Sequence, residues 1–160
     1  MKKSIGILLM AIFAIYSCSS DSSSNSENVE VERVESTPVE ETTAEVDPMQ
    51  DKGIGPISSV ELGEIDETMA AEGKETFKTL CSACHKIEKR FVGPALLGVT
   101  ERRTPEWIMN MIMNPEEMVE KNKIAKDLLA EYLSPMANQN VSEEDARKIL
   151  EYFRSEDNKQ

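Results

Sequence analysis

The 160-residue chain has a single histidine, His85, and only three cysteines, Cys18, Cys81 and Cys84. A structural zinc site takes four Cys or His ligands, and outside the N-terminal leader only three are present. Aromatic residues make up 5% of the chain against 39% hydrophobic residues, a thin core for this length unless something else fills it. A basic excess is also missing. The net charge is −12, which excludes general nucleic-acid binding, whose footprint is basic. Long apolar runs are absent too, since the longest, residues 5–15, is too short for a comfortable membrane span.

What is present is Cys81-Ser82-Ala83-Cys84-His85. It reads C-x-x-C-H, the attachment signature of a c-type haem. Two cysteines three positions apart can each form a thioether to one haem vinyl group. The histidine that follows reaches the iron from the same side, and imidazole is a common proximal ligand. A thioredoxin-like C-x-x-C needs a strand–helix setting, and nothing in the chain reads as a βαβ unit. With the one histidine spent on iron, no nucleophile–base set remains.

Residues 1–17 read as an export signal. Lys2 and Lys3 precede the apolar run, which ends in Ile15-Tyr16-Ser17-Cys18. That ending resembles a bacterial lipobox, which implies a lipidated Cys18 and a membrane-anchored lipoprotein facing the periplasm. An ordinary cleaved leader is the alternative. Residues 18–52 are rich in Ser, Glu, Thr and Val and are expected to be a disordered acidic linker. From Asp21 to Glu64 there are 12 acidic residues against Arg33 and Lys52. The linker is either a plain spacer or a leash for a mobile redox domain. Residues 53–65 are expected to form an extended arm on the domain, which occupies residues 66–160.

The domain pattern is all-α. Met69, Gly73, Phe77 and Leu80 form one stripe of a helix over 66–80. Gly73 costs that helix about 1 kcal/mol against alanine, which points to a close helix contact. Thr104-Pro105-Glu106 is a helix start, and Asn114-Pro115 ends that helix and begins another. Ile124, Leu128 and Tyr132 mark a helix that stops near Ser134-Pro135. Ser142 caps a last helix to about residue 154, with Ala146, Ile149, Leu150 and Phe153 on its buried face.

The order Gly73, Phe77, Cys81-x-x-Cys84-His85, then Gly93-Pro94-Ala95-Leu96, resembles a class I cytochrome c. That resemblance implies first and last helices crossing at Gly73, with Ile149 and Tyr152 opposite it, and one covalently bound haem c in the core. It implies a Pro94 carbonyl that accepts from His85, Leu96 packed on the haem, and Arg102 near a propionate, with Arg103 an equal candidate on chemistry. Trp107 is either core or an indole donor to a propionate. The resemblance also implies a methionine as sixth ligand. Met136 is the late methionine in a loop, whereas Met109, Met111, Met113 and Met118 lie on or beside helices. Tyr132 could donate to its sulfur. In this chain Pro135 precedes Met136, where the family often has proline after the methionine.

The expected function is therefore one-electron transfer by a His/Met-ligated monohaem carrier rather than catalysis. The rivals are a haem sensor or ligand-binding enzyme with an open or displaceable sixth site, and an interaction lipoprotein with structural haem. The expected partners are redox proteins, and the chain is expected to be a monomer. Residues 107–114 and 128–141 look like small lipoprotein cytochromes of anaerobic respiration, which implies a periplasmic reductase such as nitrous oxide reductase. A terminal oxidase is an equally open acceptor. Lys86, Lys89, Arg90, Arg102 and Arg103 are either a solvated surface or a basic rim for an acidic partner.

Overall fold

A computed structural model of the chain describes residues 47–160. The leader, Cys18 and the linker up to residue 46 lie outside the described residues. Among the described residues six helices carry the domain: α1 (Glu67–Leu80), α2 (Val99–Arg102), α3 (Pro105–Met113), α4 (Pro115–Lys121), α5 (Lys123–Tyr132) and α6 (Glu143–Asp157). No strand occurs among the described residues, only an isolated bridge between Lys86 and Ala95. The all-α expectation holds.

Local chemistry sets the helix ends. Asp66 caps α1 by accepting from the Met69 N–H. Thr104 caps α3, and Pro105 fills the first position, where a missing N–H costs nothing. Ser142 caps α6 through the Asp145 N–H. The Asn114-Pro115 break also falls as expected. Two features differ from the sequence reading. The last helix continues to Asp157, and a four-residue α2 follows Gly98, which sits at φ 72°. Asp157 explains both. Its carboxylate accepts from Gly98 N (2.5 Å), Thr100 N (3.1 Å) and Thr100 Oγ1 (2.6 Å), and so ties the start of α2 to the end of α6.

The core centres on the crossing of α1 and α6. Gly73 lies against the α6 backbone at Lys148 and Ile149. One turn on, Phe77 meets Tyr152 (5.6 Å between centroids) and Phe153 (5.8 Å). Ala146, Ile149, Leu150 and Phe153 are buried as expected. Glu151 is buried too, and its charge is matched by Arg147 and Arg154 on the same helix.

The arm lies on α3, and its attachment is polar. Asn110, 1% exposed, accepts from Ile57 N (3.0 Å) and donates to Ile57 O and Lys52 O (both 2.9 Å). Asn114 donates to Ile54 O, and Val60 N donates to Glu106. Ile57 enters the core. Asp51 accepts from Asn122 Nδ2 (2.7 Å), and its carbonyl takes the Thr104 hydroxyl. Asp51 and Lys52, the expected end of the linker, are thus bonded into the domain.

Candidate functional site

The Cys81–His85 turn grows out of the last turn of α1. Cys81 N and Ser82 N both donate to Phe77 O (2.8 and 3.0 Å). Cys84 N and His85 N then return to Cys81 O (3.1 and 2.9 Å). The turn is therefore fixed by backbone bonds to the helix that packs on α6. A second segment closes over it. Gly93 N donates to Cys84 O (2.9 Å), and Leu96 N and Leu97 N donate to Ile87 O.

His85 sits between these two segments. Its Nδ1 donates to Pro94 O at 3.3 Å, given the tautomer with the proton on Nδ1. Gly93 lies flat on the ring, since a Cβ there would come within 2.8 Å of Nδ1. Burial pushes the His85 pKa down, partly offset by the Pro94 carbonyl, which favours the neutral ring. A neutral imidazole fixed at Nδ1 leaves Nε2 as the ligating nitrogen.

Cys81 and Cys84 are both unpaired. Burial, with Cys84 alongside, pushes the Cys81 thiol up to about 11, which disfavours the thiolate a metal would need. No group of three His, Cys, Asp or Glu side chains among the described residues could hold a metal ion. Two unpaired cysteines beside an imidazole oriented by the Pro94 carbonyl fit thioether attachment of a haem better than a zinc site. Half-buried Ile87, Leu96, Met111, Met113, Val119, Ile124 and Leu128 pack on the core. They offer apolar surface that a macrocycle would cover.

The other candidates sort by their contacts. Leu96 is among those half-buried apolar residues. The Arg102 guanidinium donates to Leu97 O (2.7 Å) and Ala95 O (3.3 Å), bracing the segment that carries Pro94. Arg103 stacks over Trp107 (5.2 Å). Trp107 is 4% exposed, and its indole N–H goes to Asn122 Oδ1 (3.2 Å). The indole N–H thus has a protein acceptor, as the core alternative for Trp107 requires. Met136 is half-buried in the segment between α5 and α6. Met109 and Met118 are buried core, with the Met118 sulfur accepting from Ile54 N (2.9 Å). Tyr132 lies under the Arg90 guanidinium (4.1 Å). Two open clefts, about 320 and 440 Å³, are lined in part by arm residues, and their linings do not include His85 or either cysteine of the turn.

Sequence reasoning missed Asn110, Asn122, Asp51 and Asp157. Asn110 had a signal. It is the one polar residue in the run Trp107-Ile-Met-Asn-Met-Ile-Met, and a polar side chain on such a helix needs a buried partner.

No curated protein matches the chain. Among solved structures it is similar to a cytochrome c from Rhodothermus marinus, at 46% identity and a TM-score of 0.65, over 66% of this chain and 92% of that one. An engineered form of that cytochrome matches at 45% identity and TM-score 0.63, over 65% of this chain and 91% of that one. The same engineered protein bound to a carbene intermediate matches at 46% identity and TM-score 0.61, again over 65% and 91%. Residues 70–157, from within α1 to the end of α6, match the cytochrome c family model. With its crossed terminal helices and its C-x-x-C-H turn, the chain belongs to the cytochrome c family and carries a covalently bound haem c.

Proposed function

We propose that the chain is a one-electron carrier in which Cys81 and Cys84 hold the haem by thioethers and His85 and Met136 take the two axial positions. Haem c supplies a reversible one-electron couple when bound. The protein's part is to hold and tune it. Pro94 O fixes the imidazole plane and raises its basicity, Gly93 lets the ring lie flat, and a Met136 thioether would raise the reduction potential. With both axial positions filled by protein, no iron site is left for a substrate. The observation that carries the reading is the 3.3 Å His85 Nδ1–Pro94 O contact, which leaves Nε2 free beside two unpaired thiols.

The lipobox-like Cys18 supports an exported, membrane-anchored protein that passes electrons between respiratory components. Nitrous oxide reductase and a terminal oxidase are the proposed acceptors. A second reading, an accessible sixth site, draws on the engineered relative that carries a carbene intermediate.

An optical redox titration of wild type beside Met136→Ala separates the two. The carrier requires a low-spin His/Met spectrum in the wild type, lost in the variant together with a drop in potential. A wild type that is high-spin, or binds carbon monoxide readily, would give the second reading the field.

A further inference from the structure

We propose that Arg90 is a positioning residue for Met136. It clamps the end of α5, from which the Met136 segment runs, to the loop that carries His85 and Pro94, and so keeps the thioether at the sixth position. This rests on the His/Met reading and names what holds its less constrained side.

One side chain makes three contacts with the last turn of α5. The Arg90 guanidinium donates through Nη1 to Glu131 Oε1 (3.2 Å) and through Nη2 to the Glu131 carbonyl (3.4 Å), and its Cζ lies 4.1 Å from the centre of the Tyr132 ring. The last turn of α5 has no basic residue of its own. Arg90 therefore brings from another segment the cation that a helix C-terminus favours. A guanidinium suits the place, because its planar fork pairs with oxygens at its edge while its face stacks on a ring.

Arg90 is tied in turn to the haem-attachment motif. Phe91 N donates to Gly93 O (3.0 Å), and Gly93 N donates to Cys84 O (2.9 Å). Lys86, whose ammonium lies over the Phe91 ring (5.1 Å), donates to Ser82 O (2.6 Å). Among the described residues, the hydrogen bonds that run from residues 81–97 to α5 or to residues 134–141 are those of Arg90.

The Met136 segment needs such a hold. Directly after Tyr132, Leu133 turns the chain at φ 52°, a region that non-glycine residues rarely adopt and that their surroundings must enforce. Residues 134–141 then make no backbone–backbone hydrogen bond. Met136, four residues past Tyr132, therefore takes its place from the anchors of the segment. Asn138 and Val141 hold the far end, and Arg90 fixes the near one. Without it the end of α5 swings out, and the thioether leaves its position more often.

The size of the effect follows from exposure. Arg90 and Glu131 are both more than half exposed, so each contact is weak. An exposed ion pair and an exposed cation–π contact together bias the held state about tenfold. A small ligand that needs the open sixth position has an apparent Kd inversely proportional to the open fraction.

The test is optical titration of the ferric full-length holoprotein with imidazole. Arg90→Ala should lower the Kd about tenfold. Arg90→Lys keeps the charge but loses the fork and the stack, and should lower it about threefold. Lys123→Ala makes the same charge change and breaks the pair with Asp127 near the other end of α5; it should leave the Kd unchanged. Met136→Ala should bind most tightly, and adding Arg90→Ala to it should change nothing, because the position is already open. An Arg90 effect that persists on that background means that the side chain merely obstructs imidazole, and overturns the proposal. Equal Kd values for Arg90→Ala and wild type overturn it as well.

Amide hydrogen exchange supplies a readout apart from the haem. In Arg90→Ala it should quicken at Leu133 N, which bonds Leu129 O, and leave Gly93 N and Leu96 N protected. Quickening across the whole domain marks a general loss of stability and overturns the clamp. If Met136→Ala binds imidazole no more tightly than wild type, the His/Met reading fails and takes the clamp with it. If Met136→Ala binds more tightly and Arg90→Ala does not, the ligand stands and only the clamp falls.

Discussion

Gly73→Ala tests the helix crossing on which the site is mounted. A methyl group at this position would overlap the Lys148 carbonyl and stand 2.8 Å from Ile149 N. Both obstacles are α6 backbone, so no rotamer change relieves them, and the helices must part by on the order of 1 Å. Two effects oppose each other. Alanine favours the helix by about 1 kcal/mol. Overpacking against a rigid wall costs about 1–3 kcal/mol. The parting also weakens the contacts of Phe77 with Tyr152 and Phe153, each worth about 0.5–1.5 kcal/mol beyond burial. The clash dominates, and the net loss is about 2–3 kcal/mol, or roughly 10–15 °C in Tm for a domain of this size. Thermal unfolding of the holoprotein by far-UV circular dichroism measures it. Ala71→Gly, at an exposed position of α1, serves as control and should cost only about 0.5–1 kcal/mol. A Gly73→Ala protein that melts at or above wild type would refute the reasoning, because only the helix gain would then have been realised.

Further substitutions test other contacts. Trp107→Phe removes the N–H given to Asn122, but Asn122 keeps Ala125 N and Asp51 as partners. A stability loss of about 1–3 kcal/mol is expected from the lost bond and volume, with no change in reduction potential; a shifted potential would return Trp107 to the haem. Asn110→Ala strips the partners from both Ile57 backbone groups and Lys52 O, and should cost about 2–4 kcal/mol. Amide hydrogen exchange should then rise across residues 53–57, and unchanged protection would show that the arm is held by Ile57 burial alone. Gly93→Ala drives a methyl into the His85 ring. The haem content of the purified variant should fall at least severalfold, and full loading with a wild-type spectrum would remove Gly93 as the wall of the site.

The helices were legible in the sequence because their signals are local. Asp66, Thr104-Pro105 and Ser142 each satisfy or remove N–H groups of the helix they start, so cap and stripe appear together within a few residues. The parts that escaped depend on distant partners. The short α2 is held by Asp157, whose bonds to Gly98 and Thr100 cross 59 and 57 residues. The arm is held by amide side chains that bond its backbone across 53 to 60 residues, and hydrophobic periodicity carries no record of that. Polar attachment also suits a chain with few aromatics. Lacking large apolar side chains, the arm is fixed by satisfying its own N–H and C=O groups.

The two sides of the proposed haem site differ in legibility for the same reason. On the histidine side each requirement selects a residue type. The ring needs a neighbour with no Cβ, hence Gly93, and a carbonyl within reach of Nδ1, supplied by Pro94. The turn that presents the ring is built on the last carbonyls of α1. The C-x-x-C-H spacing made the turn readable, and the Pro94 contact was what the family resemblance implied. On the methionine side the local bonds are side-chain ones, Asn140 N to Asn138 Oδ1 (2.8 Å) and Gln139 Nε2 to Ala137 O (3.3 Å), and neither involves Met136. Among the described residues, no backbone–backbone hydrogen bond involves residues 134–141, and Leu133 and Asn140 bracket the segment at positive φ. A long side-chain bond from Asn138 to Met113 O (3.4 Å) and the buried Val141 side chain tie it to the helices. Met136 therefore rests on the resemblance, which implies a methionine ligand on a loop before the last helix, while Met109 and Met118 are buried core. Met111 and Met113 stay half-buried on α3. If Met136→Ala left the low-spin spectrum intact, those two would be the residues to substitute next.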